Sequence, residues 1–276
     1  MINFKDCTII IPHLGETKES EYSLDECLTS IKESAPEIPI VVTKNGKPCS
    51  HPSDISVTNQ GQCKAVNAAV AITQTPWIMI ANDDMNFPPG WWERLNRWDI
   101  HPDCVSPQLV EPRPGAPTFI VKSFGGAGGD FIKDEWVLWS RSHPKTMQNF
   151  RTGFNLPFMI KRDLWDLIGG YDMNYDPWGS NGDSDLEYKI KLAGVQPYQN
   201  TDSIVYHFSQ TSGTFEPRND EYRFKNYAYF KEKWGFDRTD EGIWEASFKI
   251  PDPPTRKFIP IWEGRYSPYD DVNRML

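Results

Sequence analysis

The chain has 276 residues, 38% hydrophobic and 24% charged, enough for one large α/β domain or one domain with a tail, and its composition excludes a disordered or fibrous protein. Its net charge of −9 argues against a surface built to neutralise nucleic-acid phosphates. The apolar run after Met1–Asp6 is too short for a signal peptide or a span, and no stretch approaches the roughly 18 apolar residues a membrane helix needs, so a soluble cytoplasmic protein is expected.

Short apolar runs alternate with helical patterns through the first hundred residues, which predicts an α/β fold with a parallel sheet wound by helices. Residues 7–11 read as a buried strand closed by Pro12. Leu24, Leu28 and Ile31 recur at helical spacing before a stop at Pro36. Residues 38–42 form a second strand ending in the turn Asn45-Gly46, and residues 55–58 a short third one. A helix over 61–73 carries Val66, Ala69, Val70 and Thr73 on one side, and residues 77–81 form a fourth strand that runs into Asn82-Asp83-Asp84.

From Glu111 to Phe150 no regular pattern emerges. Pro112, Pro114 and Pro117 precede Gly125-Gly126-Ala127-Gly128-Gly129, which reads as a mobile loop, either a linker or a lid. Beyond it come a strand over 158–161, a short helix over 163–168 closed by Gly169-Gly170, a helix marked by Leu186, Ile190 and Ala193, and a final strand over 203–207. Residues 221–234 are expected to form an aromatic amphipathic helix. Residues 236–276, rich in proline, are expected to be an extended tail packed on the domain of residues 1–235. Five cysteines, Cys7, Cys27, Cys49, Cys63 and Cys104, form no CxxC pair, so reduced thiols are expected.

Three features could carry chemistry. Asn82-Asp83-Asp84 lies just past the carboxyl end of a central strand, where open α/β sheets place their ligands. Two adjacent carboxylates there repel unless a cation sits nearby, and Mg²⁺ or Mn²⁺ bridging a pyrophosphate would answer that; a solvated turn is the alternative. Asp183 and Asp185 begin a helix, where a carboxylate either caps free N–H groups or serves as a general base. His207 ends the last strand, and its imidazole could be a surface group or a third metal ligand.

In order, these segments resemble the family 2 glycosyltransferases of the GT-A fold. Thr8–Pro12 resembles the family's opening strand, Asn59-Gln60-Gly61 through Lys64 and Asn67 its N-x-G-x-x-x-A-x-N helix, and Trp77–Asp84 the strand that leads into its DxD motif. Phe158 through Gly169-Gly170-Tyr171-Asp172 is similar to its GGFD segment, Asp183-Ser184-Asp185-Leu186 to its ED-x-D-L motif, Val205-Tyr206-His207 to its metal-histidine strand, and Tyr229-Phe230 with Lys233-Trp234-Gly235 to its C-terminal helix. The resemblance implies a mostly parallel, Rossmann-like sheet flanked by helices, a nucleotide-sugar donor, a glycan or other hydroxyl acceptor, and inversion by a single displacement.

It further implies that Asp84 and His207 hold a divalent metal, Mn²⁺ or Mg²⁺, and that Asp183 is the catalytic base. Pro12, His13, Asn45, Gly61, Lys64, Asn67, Asn82 and Asp83 fall on the donor side, with Trp178 and Asp185 toward the acceptor. Two departures stand out. Asn82 occupies the first DxD position, and Val42-Thr43-Lys44-Asn45-Gly46 lacks the family's base-reading acid, which leaves the usual UDP or dTDP preference without its carboxylate. The QxxRW signature of processive members is missing too, favouring single transfer. Two other readings are a viral-type enzyme that glycosylates hydroxymethylated DNA bases, disfavoured by the acidic charge, and a non-catalytic carbohydrate- or nucleotide-binding module.

Overall fold

The computed structural model describes residues 2–15, 17–45, 54–57, 61–98, 101–113, 120–127, 129–143, 150–209 and 219–235. Strands β1 (Cys7–His13), β2 (Ile40–Asn45), β3 (Asp54–Val57) and β4 (Trp77–Ile80) line up as β3-β2-β1-β4, all parallel. Parallel neighbours need crossovers. α1 (Lys18–Ser34) carries the chain from β1 to β2, and α2 (Gln62–Ala71) carries it from β3 to β4. Thr17 caps α1, its hydroxyl accepting from the Ser20 N–H at 3.0 Å.

The sheet continues past β4 through β9 (Phe158–Lys161), β6 (Cys104–Glu111) and β10 (Tyr198–His207) to β5 (Met85–Asn86). β9 is antiparallel to both β4 and β6. β4 and β6 therefore point the same way, β10 is parallel to β6, and the carboxyl ends of β1, β2, β4, β6 and β10 share one edge. β7 (Ile120–Val121) adds to β6 in parallel and β8 (Phe150–Thr152) to β10 in antiparallel. Five of the nine strand pairings among the described residues are parallel, in keeping with the expected α/β sheet.

Helices α1, α2, α3 (Trp91–Leu95), α5 (Arg162–Ile168) and α6 (Gly182–Leu192) bury their apolar sides in the main core. Ile9, Ile10, Ile11, Ile78, Met79 and Ile80 are wholly inaccessible at its centre. A second cluster of Val110, Phe124, Trp136, Ile204, Tyr206 and Phe208 lies under α4 (Lys133–Ser142). Cys7, Cys27, Cys63 and Cys104 are buried free thiols, and Cys49 lies outside the described residues. Among those residues no helix is long and apolar enough to cross a membrane.

Several elements depart from the sequence expectation. β6 was hidden because Ser106, Pro107 and Gln108 interrupt its apolar run, yet Pro107 sits in register with Asn200 of β10. α4 buries only Trp136 and Ser140, too sparse a stripe to read. The glycine segment expected to be a mobile loop is a tied turn over its described residues. Ile132 N–H donates to Phe124 O at 2.7 Å, Gly126 N–H to the Asp130 carboxylate at 2.9 Å, and Tyr206 Oη to Gly125 O at 2.7 Å. β10 begins at Tyr198, five residues before the expected start, with an irregularity between Asn200 and Ile204. α7 (Asp220–Trp234) is not amphipathic in its aromatics. It buries Asn226, Phe230 and Trp234 and leaves Phe224 61% exposed. The proline-rich tail lies outside the described residues.

α7 is held by charge. Lys233 Nζ sits 2.6 Å from Asp172 Oδ2 and 2.7 Å from Asp185 Oδ1, while Trp234 Nε1 donates to Asp185 Oδ1 at 2.9 Å and Tyr229 Oη to Asp172 Oδ2 at 2.9 Å. Asp185 has no accessible surface, so it needs these partners; a buried carboxylate stripped of its cation is strongly destabilising. Burial alone would raise the Asp172 pKa, but Lys233 outweighs it and holds the carboxyl down at about 2. A depressed carboxyl contributes stability above its unfolded value, near 4, and loses it as pH falls toward 2. Lys233→Met should cost on the order of 3 kcal/mol at pH 7 in urea unfolding. The gap between variant and wild type should narrow when the titration is repeated from pH 4 to pH 2; a constant gap would show that Asp172 gains nothing from Lys233.

Candidate active site

The shared carboxyl edge gathers the polar groups. Past β4 the chain carries Asp83 and Asp84 into β5, which pairs antiparallel with β10 on the side away from β6, Met85 opposite His207. Phe208 N–H donates to Asp84 O at 2.9 Å. This short antiparallel contact places the Asp84 carboxylate 3.1 Å from His207 Nε2.

The other ring nitrogen of His207, Nδ1, lies 2.6 Å from Oε1 of Glu111, the last residue of β6. Burial disfavours the imidazolium, but the flanking carboxylates Asp84 and Glu111 win and push the His207 pKa up to about 10. The neighbouring carboxylate is treated in the same way. Asp83 Oδ2 lies 2.6 Å from His13 Nδ1, and Glu21 approaches His13 Nε2 at 3.4 Å. Burial works against the charge on His13, yet Asp83 and Glu21 raise its pKa. Each of the two adjacent aspartates thus has its own histidine, which relieves the repulsion between them.

Among the described residues, no group of three or more His, Cys, Asp or Glu side chains could by itself enclose a metal ion. The geometry explains why: Glu111 faces Nδ1 of His207, whereas Asp84 faces Nε2. That leaves one carboxylate and one imidazole on the same side. A magnesium-like ion commonly takes only one or two protein carboxylates and fills its remaining positions with phosphate oxygens and water, so the residues fit an ion bound together with a diphosphate.

A second group surrounds the start of α2. Asp176 accepts from the Cys63 and Lys64 N–H groups at 2.9 and 3.0 Å, capping the helix from a distant part of the chain. Burial raises the Asp176 pKa to about 6 against the pull of those two hydrogen bonds. Gly61 precedes the helix at φ +107, and a Cβ there would lie 2.2 Å from Asp176 Oδ1. Asn67, in the middle of α2, binds the Tyr171 backbone twice, Nδ2 donating to Tyr171 O at 2.9 Å and Oδ1 accepting from Tyr171 N–H at 3.1 Å. Tyr171 Oη donates to Asp183 Oδ1 at 2.6 Å, in the first turn of α6. Gly170, at φ +60, lets this turn close on Asn67, since a Cβ would come within 2.8 Å of its Oδ1.

The structure brings Asp84 together with His207, and Asp83 with His13. Asp183 is half-buried at the start of α6, and Trp178 is half-exposed in the turn before it. Pro12 and Asn82 are half-exposed at the carboxyl edge, Asn45 ends β2 there, and Gly61 and Lys64 lie at the start of α2. Three residues sit elsewhere than the sequence reading placed them. Asn67 is fully buried and occupied by the Tyr171 backbone, His13 is buried behind Asp83, and Asp185 is enclosed by Lys233, Trp234 and Tyr175 rather than facing an acceptor. Three contributors were missed: Glu111, the Tyr171 hydroxyl and Asp176. Only Glu111 had a legible signal, as an acid ending an apolar run, and that run was masked by Pro107.

Residues 55–163 match the family Glycosyl transferase family 2. The fold is that of GT-A glycosyltransferases. Similar solved structures include GalNAc-T7 with UDP, GalNAc and Mn²⁺, at TM-score 0.59 and 16% identity over 97% of this chain and 55% of that one. Another is the mannosyltransferase PcManGT from Pyrobaculum calidifontis with GDP-Man and Mn²⁺, at TM-score 0.53 and 18% identity over 87% of this chain and 68% of that one. The chain spans about half the length of the GalNAc-T7 chain. No curated protein matches it.

The close approach of Gly61 to Asp176 can be tested by stability. Gly61→Ala combines backbone strain with a clash and should cost at least about 2 kcal/mol in urea unfolding. Gly194→Ala, at φ +80 with nothing within 4 Å of the added Cβ, meets strain alone and should cost about 1 kcal/mol. Equal costs would mean that Asp176 yields without penalty.

Proposed function

We propose that the protein transfers a sugar from a nucleotide-sugar donor to a hydroxyl of a glycan or other acceptor, with inversion in a single displacement that depends on Mn²⁺ or Mg²⁺. The observation that carries this reading is the Asp84–His207 pair, 3.1 Å apart at the carboxyl edge of the sheet, within a fold shared with sugar transferases. Asp84 and His207 would hold the metal, which supplies positive charge against the donor's diphosphate.

The remaining roles belong to the chain's own residues. The half-exposed Pro12 and Asn82, with Asn45, Gly61 and Lys64, line the edge where the nucleotide would lie. His13 holds Asp83 in place, so of the two adjacent acids Asp84 is the metal ligand. Asp183 takes the proton of the acceptor hydroxyl as its oxygen bonds to the anomeric carbon and the bond to the diphosphate breaks on the opposite face. A carboxylate can do this only when held within hydrogen-bond reach, and the Tyr171 hydroxyl fixes its orientation from behind. Trp178 offers an aromatic face to the acceptor sugar. Asp185, being enclosed, serves the fold.

A thermal-shift panel of nucleotide sugars with and without Mn²⁺ identifies the donor, because a ligand selective for the native state raises its apparent stability. Asp84→Asn should abolish the Mn²⁺-dependent part of that shift, and His207→Ala should weaken it less, since water can replace an imidazole. Donor affinity unchanged by EDTA would end the metal reading. Asp183→Asn should fold, bind donor with metal as the wild type does, and lose transfer by at least about 100-fold. Near wild-type turnover in this variant would remove Asp183 as the base.

A further inference from the structure

β6 ends at Glu111, a residue only 6% exposed, with Oε1 placed 2.6 Å from His207 Nδ1. A carboxylate oxygen can only accept there, so Nδ1 must carry the hydrogen. Nε2, 3.1 Å from Asp84 Oδ1, also faces a carboxylate and carries the ring's other proton until a cation displaces it, and the lone pair then freed is on Nε2 because Glu111 keeps the hydrogen on Nδ1. The rest of the ring's surroundings allow little freedom. Tyr206, the preceding residue, is anchored by Phe124 N–H and Gly125 O at 3.1 and 2.7 Å, and Phe208 N–H is bound to Asp84 O. Backbone pairing therefore sets where His207 sits, and Glu111 sets which nitrogen it presents.

We infer that Glu111 is a positioning residue that holds His207 in the tautomer and orientation needed to bind a divalent ion through Nε2, without contacting that ion itself. The inference rests on the proposed metal site and deepens it. A ligand histidine left without its carboxylate partner can rotate or take the other tautomer, and loss of such partners typically weakens metal binding by about 10- to 100-fold.

The test reads metal affinity rather than turnover: Mn²⁺, titrated alone and with a nucleoside diphosphate into the purified protein and followed by the electron paramagnetic resonance of free Mn²⁺. Glu111→Ala should weaken Mn²⁺ binding about tenfold or more. Glu111→Gln, whose amide oxygen still accepts from Nδ1–H, should stay within about threefold of wild type. Glu111→Met fills the same space without an acceptor and gives the same reading should alanine cost the fold. In a His207→Ala background the Glu111 effect should vanish, because two residues acting through one contact are not additive. Unchanged affinity in Ala and Met, a Gln variant as weak as Ala, or full additivity with His207→Ala would each overturn the inference while leaving the metal site standing. A wild type that binds Mn²⁺ neither alone nor with a nucleoside diphosphate would overturn both.

Discussion

The candidate site depends on the two-residue pairing of β5 with β10. Four strands lie between β1 and the edge strand β5, and three of them, β9, β6 and β10, stand between β4 and the place where Met85 meets His207. Without that contact, Asp84 and His207 would belong to strands separated by β9 and β6. With it, a turn close to the parallel half of the sheet and the end of a strand in the mixed half come within 3.1 Å. The antiparallel β9 contributes by keeping β4 and β6 in the same direction, so Glu111 also emerges at this edge.

Acidic residues are divided among distinct tasks by their surroundings. Asp84 is buried against a histidine at the sheet edge; Asp83 is tied to His13; Asp176 caps α2; Asp172 and Asp185 share Lys233; Asp183 accepts from the Tyr171 hydroxyl. Burial works against charge at several of these positions: Lys233 outweighs it at Asp172, whereas at Asp83 and Asp176 it prevails over the hydrogen-bond partners. Asp185 is the extreme, with no accessible surface and two lysines, Lys189 and Lys233, an indole and a phenol around it. Its neighbour two residues earlier shares the helix start but not the enclosure, and that difference separates a fold-holding acid from a candidate base.

Much of the fold was legible in the sequence because its signals are local. The β1–β4 runs are continuous and apolar, α1 and α2 show their periods, and Gly169-Gly170 punctuates α5. β6 was not legible, since a proline inside a central strand reads as a break and only the pairing with β10 shows that it is accommodated. α4 escaped because two buried residues make no stripe, and α7 misled because its aromatics are spread around the helix. At the site, the acids past β4 and the histidine ending β10 could be picked out from position alone. What each acid binds could not, because Asp185 and Asp183 look alike in sequence and differ only in the long-range company of Lys233 or Tyr171. Asn67 likewise reads as a donor-facing polar group until the backbone of Tyr171, more than a hundred residues away, is seen to occupy it.

That Asn67 bridge couples two regions to which the proposal gives opposite duties. α2 begins beside the nucleotide edge, and the turn after Gly170 leads to the acceptor-side acid; Asn67 and Asp176 rivet one to the other through four hydrogen bonds to main-chain amides and a carbonyl. A displacement of the donor-side helix must then drag the acceptor-side turn with it. On the proposed function, the donor edge and the acid that would activate the acceptor share a common chassis, so their alignment would be a property of the scaffold's stiffness.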